Sequence, residues 1–425
     1  MLDQTTNTLD FDESQRNAIH QCCDLNKRVV AITGQAGTGK TTIMQSVHKT
    51  LEARDKHVVL CAPTGKAAKR ITEATGIEAL TIHRLLEYPY PGEINEETGK
   101  SLVSTDPKRH RQNPIKYDVV LVDEYAMVNI EVHRNLLDAL PYGGVIRMFG
   151  DANQLQPIET NKRLACEPSS FLKMLKKFNG IWLDHIHRQH EGSSIIENGK
   201  RILKGSMLKR FDDFELKITD EPVKLIQEYI TENLADNIDF GQLNNQILTP
   251  TKVGWVGTEA LNSCIQLLMH PSKKEFIELE RHKWSKTTEL RIYKGDKVIY
   301  SVNNYSLELF NGETGLLESI NEATGDVTIN FGDRSIKIPT SLEVNGKHGI
   351  YYINPQKDLD LAYIITTHKA QGSEYDRIVY IMNSSRSWLL NRKNFYTAVS
   401  RAKSHVAIIT DQKALSTSLN KIGDK

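Results

Sequence analysis

Four short apolar runs mark the first 150 residues: Val29 to Thr33, Val58 to Ala62, Val119 to Val122 and Val145 to Phe149. Each is nearly continuous rather than alternating, the pattern of a strand buried on both faces. Helical periodicity fills most of the intervals. Strands alternating with helices predict an α/β fold, a parallel sheet covered on both sides, with its chemistry at the strand ends. Gln246 to Leu248, Leu361 to Ile365, Ile378 to Ile381 and Val406 to Ile409 predict a second sheet of the same kind. Between its parts, "RIYKGDKVIYSVNNYSL", "GETGLLESI", "DVTINFGD" and "SIKIP" are short strands separated by Gly and Asp turns, which predicts a small inserted β-barrel. The stretch Glu87 to Lys116 is too polar for a core and reads as a projecting hairpin. The expected organisation is a first domain over residues 1–165 with its hairpin at 87–116, a second over 166–269 and 350–425, and a barrel over 270–349.

Composition narrows the partners. The 425 residues carry a net charge of +1, so any polyanion is held by a local cleft and not by the whole surface. The five cysteines form no CxxC pair, which argues against a disulfide framework or zinc knuckle and fits a reducing cytoplasm. The opening MLDQTTNTLDFDE is polar and acidic, unlike a secretory signal, and no apolar run approaches the ~18 residues that span a bilayer.

Two segments carry phosphate chemistry. "GQAGTGKT", Gly34 to Thr41, follows the first apolar run directly and has the glycine spacing of a phosphate-binding loop. Its residues Gly34, Gln35, Ala36, Gly37, Thr38 and Gly39, with Thr42 just beyond, would wrap the phosphates of ATP. Lys40 would reach the β and γ oxygens, and Thr41 would offer its hydroxyl to Mg2+. "VVLVDE" ends in Asp123, a second magnesium ligand, and Glu124, a general base for the attacking water.

With these come further segments that together resemble a superfamily 1 helicase. "GDANQLQP" resembles motif III, with Gln154 sensing the γ-phosphate. "FDESQRNAI" resembles the adenine-reading Q motif, with Gln15 as reader. "APTGKAAKR" and "TIHRLL" resemble motifs Ia and Ib, and "LDHIHRQ" resembles motif IV with Arg188 on phosphate. "TTHKAQGSEYD" resembles motif V, with Gly372 and Glu374 toward the nucleotide, and "FYTAVSRAK" resembles motif VI with Arg401 as arginine finger. Ser400 stands where that motif more often has Thr, and it keeps the hydroxyl.

The wording "ITTHKAQGSEYD", "YTAVSRAK", "ILTPTKVGWVGTEALN" and "GDKVIYSVNNYSLELFNGETG" is similar to the RecD-like (1B) branch, which includes the phage helicase Dda. The resemblance spans about residues 11 to 410. It implies two RecA-like motor domains, an SH3-like barrel, ATP hydrolysis with Mg2+, and 5′ to 3′ movement on single-stranded DNA in replication, recombination or repair. It further implies a monomer in the cytoplasm of a bacterium or phage-infected host. Its partners would be single strands, single/double-strand junctions, and a single-strand-binding protein or replisome component. The same motifs also serve a translocase that strips proteins from a strand without unwinding.

A strand grip needs hydroxyls, lysines and backbone N–H groups without a base code. Pro63, Thr64, Lys66, Thr81 and His83 follow strands of the first domain; Pro250, Thr251, Thr367, His368 and Lys369 follow strands of the second. These are expected on the side opposite the ATP. The alternative for Thr64 and Thr251 is a helix cap, and for His83 and His368 a place in the core. Trp388 is the leading base-stacking candidate among Trp182, Trp255, Trp284 and Trp388.

Overall fold

A computed structural model of the chain describes residues 11–88, 106–157, 159, 167–186, 193–236, 238–269, 275–280, 289–346 and 349–423. They fall into two compact units that meet between residues 186 and 193 of the described chain.

The first unit is a six-stranded sheet in the order β3-β2-β4-β5-β1-β6, every pair parallel. The strands are β1 Val29–Gly34, β2 Val58–Ala62, β3 Ala79–Thr81, β4 Val119–Val122, β5 Val145–Gly150 and β6 Ile181–Leu183. Successive side chains point to opposite faces, so each run feeds two cores. Val30, Ile32, Leu60 and Leu121 pack with α1 Glu13–Cys23, α2 Lys40–Glu52 and α3 Gly65–Thr75. Ala31, Val59, Val120 and Met148 pack on the other face with α4 Ile82–Leu85, α5 Ile130–Asp138 and α6 Ser170–Lys177. Strand β6 overturns the expected boundary at residue 165. Apolar Ile181 and Leu183 pair with Ile32 and Gly34 of β1, so the stretch 170–183 completes the first sheet and does not open the second domain.

The second unit holds a five-stranded parallel sheet in the order β18-β8-β19-β20-β7. Its strands are β7 Phe214–Ile218, β8 Asn245–Thr249, β18 Ile364–Thr366, β19 Tyr375–Met382 and β20 Ala402–Thr410. One face packs with α7 Ser194–Lys204, α10 Arg392–Val399 and α11 Gln412–Asn420. The other packs with α8 Pro222–Ala235 and α9 Thr258–Met269. An antiparallel sheet shares that second core; its order is β14-β13-β12-β11-β17. Its members are β11 Lys297–Tyr300, β12 Thr314–Ile320, β13 Val327–Asn330, β14 Ser335–Ile338 and β17 Leu359–Leu361. Two hairpins complete the unit, β9 Phe276–Glu280 with β10 Glu289–Tyr293, and β15 Leu342–Gly346 with β16 Gly349–Ile353.

The apolar run Leu361 to Ile365, expected as one strand, is split between the two sheets. Two buried amides hold the break. Asn262 donates to Leu361 O at 3.2 Å and Ile364 O at 2.9 Å and accepts from Ile364 N at 2.8 Å. Gln246 donates to Ala362 O at 3.0 Å and Tyr363 O at 2.9 Å. The antiparallel sheet therefore runs on to Leu361, beyond the expected limit of 349.

Candidate nucleotide and nucleic-acid sites

Strands β4, β5 and β1 are neighbours, and adjacent strands lie about 4.8 Å apart, so their C-terminal ends sit within about 10 Å. The segments after them are the phosphate loop, the acidic pair and motif III. Gly37 and Gly39 have φ of 82° and 79°, where a side chain is strained. A Cβ on Gly39 would also lie 2.5 Å from Gln15 Nε2. Helix α2 begins at Lys40, and no side chain caps it. Its first N–H groups and dipole therefore face the loop, the arrangement that holds phosphate. Lys40 Nζ donates to Gly34 O at 2.8 Å and Gln35 O at 2.9 Å, which folds the ammonium over the cradle. Thr38 Oγ1 donates to Gln35 O at 3.0 Å and closes the turn. Thr41 and Thr42, half-buried, occupy the first turn of α2.

Gln15 is only 4% exposed. Its Nε2 donates to Thr38 O at 3.1 Å, and its Oε1 accepts from Asp12 N at 3.1 Å within the capping box of α1. The residue expected to read adenine thus also ties α1 to the phosphate loop. The far end of α1 is held by Arg147, fully buried in β5, which donates to Cys22 O at 2.7 Å, Asp24 O at 3.0 Å and Lys27 O at 2.8 Å.

Asp123 is buried, and its backbone N donates to Cys61 O at 2.9 Å. Burial first, and then the charge of Glu124, push its carboxyl up to about 6, while Lys40 and Arg70 act the other way. Lys40, Glu124 and, unexpectedly, Arg70 of α3 are thus near enough for their charges to act on Asp123. Glu124 has φ 49°, a left-handed conformation costly for a side chain. Its Oε2 and Gln154 Oε1 are both buried without a hydrogen-bond partner. Unpaired buried acceptors are rare in a folded protein, and they mark a place that a ligand, ion or water completes. Hydroxyl and carboxylate oxygens at Thr41 and Asp123 suit magnesium, a hard cation. Thr33 Oγ1 at the end of β1 accepts from Ala152 N at 2.9 Å, which locks the motif III turn to the phosphate-loop strand.

One pair next to Glu124 in the chain is not signalled by the sequence. Tyr125 hydroxyl and His133 Nδ1 are 2.9 Å apart, both groups buried. The Tyr125 ring also packs on Phe171 at 5.9 Å. Burial, and then Arg134 and Lys173, hold the His133 imidazole down to about 4, so it stays neutral. The pair fixes the tight turn Tyr125–Met127 that begins where Glu124 ends. A tyrosine after an acidic pair and a histidine eight positions on are too common to signal this.

The strand candidates of the first unit are not opposite the nucleotide residues. All six strands run parallel, so Pro63, Thr64 and Thr81 leave the same edge, beside the acidic pair at the β2 and β3 end of the sheet. Thr64 caps α3 by accepting from Ala67 N at 3.2 Å, and buried Thr81 caps α4 by accepting from Arg84 N at 3.1 Å. The half-buried His83 ring lies 4.8 Å from Tyr88, whose hydroxyl accepts from Asn135 at 2.8 Å. Lys66 is half-buried in the first turn of α3. Of the insertion, 89–105 lies outside the described residues. Its far limb is tied down: Arg109 Nε donates to Glu87 at 2.8 Å, and Ile115 is buried.

In the second unit the two sets do separate. Pro250, Thr251 and Thr367 follow β8 and β18 at the C-terminal edge, whereas Gly372, Glu374 and Arg401 precede β19 and β20 at the N-terminal edge. Thr367 is a correction: its side chain is fully buried and donates to Thr249 O at 3.4 Å, so its hydroxyl serves the sheet. Thr251 is buried too, donating to Val253 O at 2.9 Å in a local turn and capping no helix. Lys369 is exposed, its Nζ 3.3 Å from Ser301 Oγ, and His368 is half-buried. Trp388 is 58% exposed. Arg401 is buried and donates to Thr397 O at 3.2 Å, Ser373 O at 3.3 Å and Ser400 Oγ at 3.2 Å, so Ser400 supplies the bond its hydroxyl allows. Arg188 lies outside the described residues.

Residues 10–216 match the family described as AAA domain, and residues 361–409 match the UvrD-like helicase C-terminal domain. The chain is 29% identical over 396 residues to the ATP-dependent RecD2 DNA helicase of Deinococcus radiodurans, covering 92% of this chain and 48% of that one. It is 27% identical over 423 residues to the RecBCD enzyme subunit RecD of Mycolicibacterium smegmatis, covering 91% and 69%. The chain thus spans about half the length of the first relative and about two thirds of the second. A Pif1 helicase from Bacteroides solved with ADP-AlF3 and single-stranded DNA superposes with a TM-score of 0.57 at 20% identity, covering 96% of this chain and 94% of that one. A Pif1 structure on forked double-stranded DNA gives a TM-score of 0.58 at 20% identity, covering 97% and 94%. With the phosphate loop, acidic pair and motif III at three adjacent strand ends, the chain is similar to the RecD-like helicases over nine tenths of its length.

Proposed function

We propose that this chain is an ATP-dependent DNA helicase that moves 5′ to 3′ on single-stranded DNA and separates the duplex ahead, in replication, recombination or repair. One observation carries the reading: the buried, unpartnered oxygens of Glu124 and Gln154, beside a phosphate cradle whose lysine bonds only loop carbonyls in the interactions described above. On ATP binding, Lys40 exchanges Gly34 O and Gln35 O for phosphate oxygens. Glu124 takes the proton of the attacking water, and Gln154 reports the γ-phosphate to motif III. Magnesium, held by Thr41 and Asp123, would neutralise phosphate charge. Arg401, with Arg188, completes the charge stabilisation, because a guanidinium stays ionised and fits phosphate oxygens.

The reading extends to the parts around this core. The antiparallel sheet from β11 to β17 serves as an SH3-like barrel, and the 87–116 insertion as the pin that parts the strands. The motor works as a monomer in the cytoplasm and meets single-strand-binding or replisome proteins there. Strand separation on two partial duplexes tests the reading, one with a 5′ tail and one with a 3′ tail. Opening of only the 5′-tailed substrate is expected. Opening of only the 3′-tailed one would overturn the polarity. ATP hydrolysis stimulated by single strands without any opening would leave a protein-displacing translocase in its place.

A further inference from the structure

We propose that the loop after β8 and the segment after β19 form a base-stacking platform for single-stranded nucleic acid, built from Trp255, Arg386 and Trp388. The inference rests on the reading that this edge of the second unit grips a strand.

Strands β8 and β19 are adjacent and parallel, so the segments that follow them emerge side by side. Both carry a tryptophan into solvent: Trp255 is 46% exposed and Trp388 58%. The guanidinium of Arg386 lies 5.0 Å from the centre of the Trp388 ring. Gly254, with φ 96°, passes so close that a Cβ there would lie 3.2 Å from Arg386 Nε. The loop bearing Trp255 therefore rests against the same guanidinium that stacks on Trp388.

Neither segment is loose. Thr251 Oγ1 donates to Val253 O at 2.9 Å and fixes the first turn. Asn383 accepts from Ser385 N at 2.9 Å, Leu390 is buried, and Lys421 Nζ donates to Trp388 O at 2.9 Å. Lys252 adds a further positive charge, with Glu259 3.9 Å away. Exposed flat rings, a planar cation and flanking ammonium groups are what unpaired bases and their phosphates require. The contact is sequence-tolerant, since every base has an aromatic face.

The test compares oligothymidylate with an abasic strand of equal length, so phosphate number is constant and only the bases differ. Affinities are measured at one ionic strength for the wild type, W255A, W388A, R386A and R386K, with thermal unfolding as the control for folding. The wild type is expected to prefer the base-bearing strand. W388A and W255A should each weaken it by at least about fivefold and leave the abasic strand unchanged. R386A should lose part of the base preference, and R386K, which keeps the charge without the plane, should not restore it. Equal losses on both strands, no loss on either, or full restoration by lysine would overturn the platform. Failure of the wild type to bind any single strand would overturn the underlying reading as well, a distinct result.

Discussion

Replacing Tyr125 with Phe removes one oxygen and tests how the base is held. In the wild type the hydroxyl satisfies His133 Nδ1 at 2.9 Å, and both residues are buried. Phenylalanine keeps the ring contact with Phe171 and strands the imidazole nitrogen. Leaving one buried polar group unpaired costs about 1–3 kcal/mol. At roughly 2–4 °C per kcal/mol for a domain of this size, the melting temperature should fall by about 2–12 °C. Replacing both partners, Tyr125→Phe with His133→Leu, removes the orphan, so the double variant should lose less than the two single changes added. The turn that loosens is the one holding Glu124 at φ 49°. If Glu124 is the base proposed above, it acts on water in the transition state, so kcat for ATP should drop about tenfold, for about 1.4 kcal/mol of misplacement, while KM stays put. Calorimetry and steady-state ATP hydrolysis read the two effects separately. Wild-type stability in Tyr125→Phe would refute the orphan-group argument. Lost stability with unchanged kcat would refute the link to Glu124.

Three other outcomes follow from the same geometry. Gly39→Ala meets both a left-handed φ and the Gln15 amide, so KM for ATP should rise by about tenfold, read by hydrolysis or nucleotide binding. His133 titrates at about 4 in the fold and near 6.5 when unfolded, so its neutral burial contributes about 3 kcal/mol above pH 6.5, lost as pH falls toward 4. Asp123, raised to about 6, works in the opposite sense over part of that window. The difference between wild type and His133→Gln in metal-free buffer therefore isolates the histidine, and parallel stability–pH curves would contradict it. Asn262→Leu leaves Ile364 N–H and two carbonyls unpaired in the core and should cost about 2–5 kcal/mol in chemical denaturation, with unfolding of the second unit affected and not the first.

How much of this was legible depended on whether the deciding residues were neighbours in sequence. Buried parallel strands announce themselves as apolar runs closed by Gly, Pro or Asp, so β1, β2, β4 and β5 are legible in the sequence. The short edge strands β3 and β6 and the half-exposed β7, FELKI, have no such run and were missed. Leu361 to Ile365 reads as one strand because the amides that divide it come from Gln246 and Asn262, about a hundred residues earlier. The phosphate loop and acidic pair are contiguous, and their chemistry is written in their spacing. Tyr125 with His133, Arg70 near Asp123, and Arg386 against Gly254 exist only after folding. Burial explains the threonines: sequence shows a hydroxyl after a strand, but not that the chain turns Thr367 inward to Thr249.

Strand direction explains why the two units use their edges differently. In the first, the phosphate loop, the acidic pair, motif III and the strand candidates all follow their strands, so they share the C-terminal edge. In the second, residues 367–374 leave the C-terminal edge after β18 and return to the N-terminal edge before β19. A five-residue strand such as β8 is roughly 17 Å long, so this one short segment crosses the depth of the sheet. Both of its ends are fixed: Thr367 N donates to Thr249 O at 3.0 Å, and Tyr375 N donates to Arg401 O at 2.9 Å. Near its far end, Arg401 grips Ser373 O at 3.3 Å, and Gly372 supplies the φ of 75° that lets the chain turn there. A phosphate that draws the Arg401 guanidinium away would release Ser373 O and free that end, while the other end abuts Thr249 and, two residues on, the turn at Thr251. Within the second unit, a single covalent segment thus joins the arginine proposed to meet phosphate to the edge proposed to meet the strand.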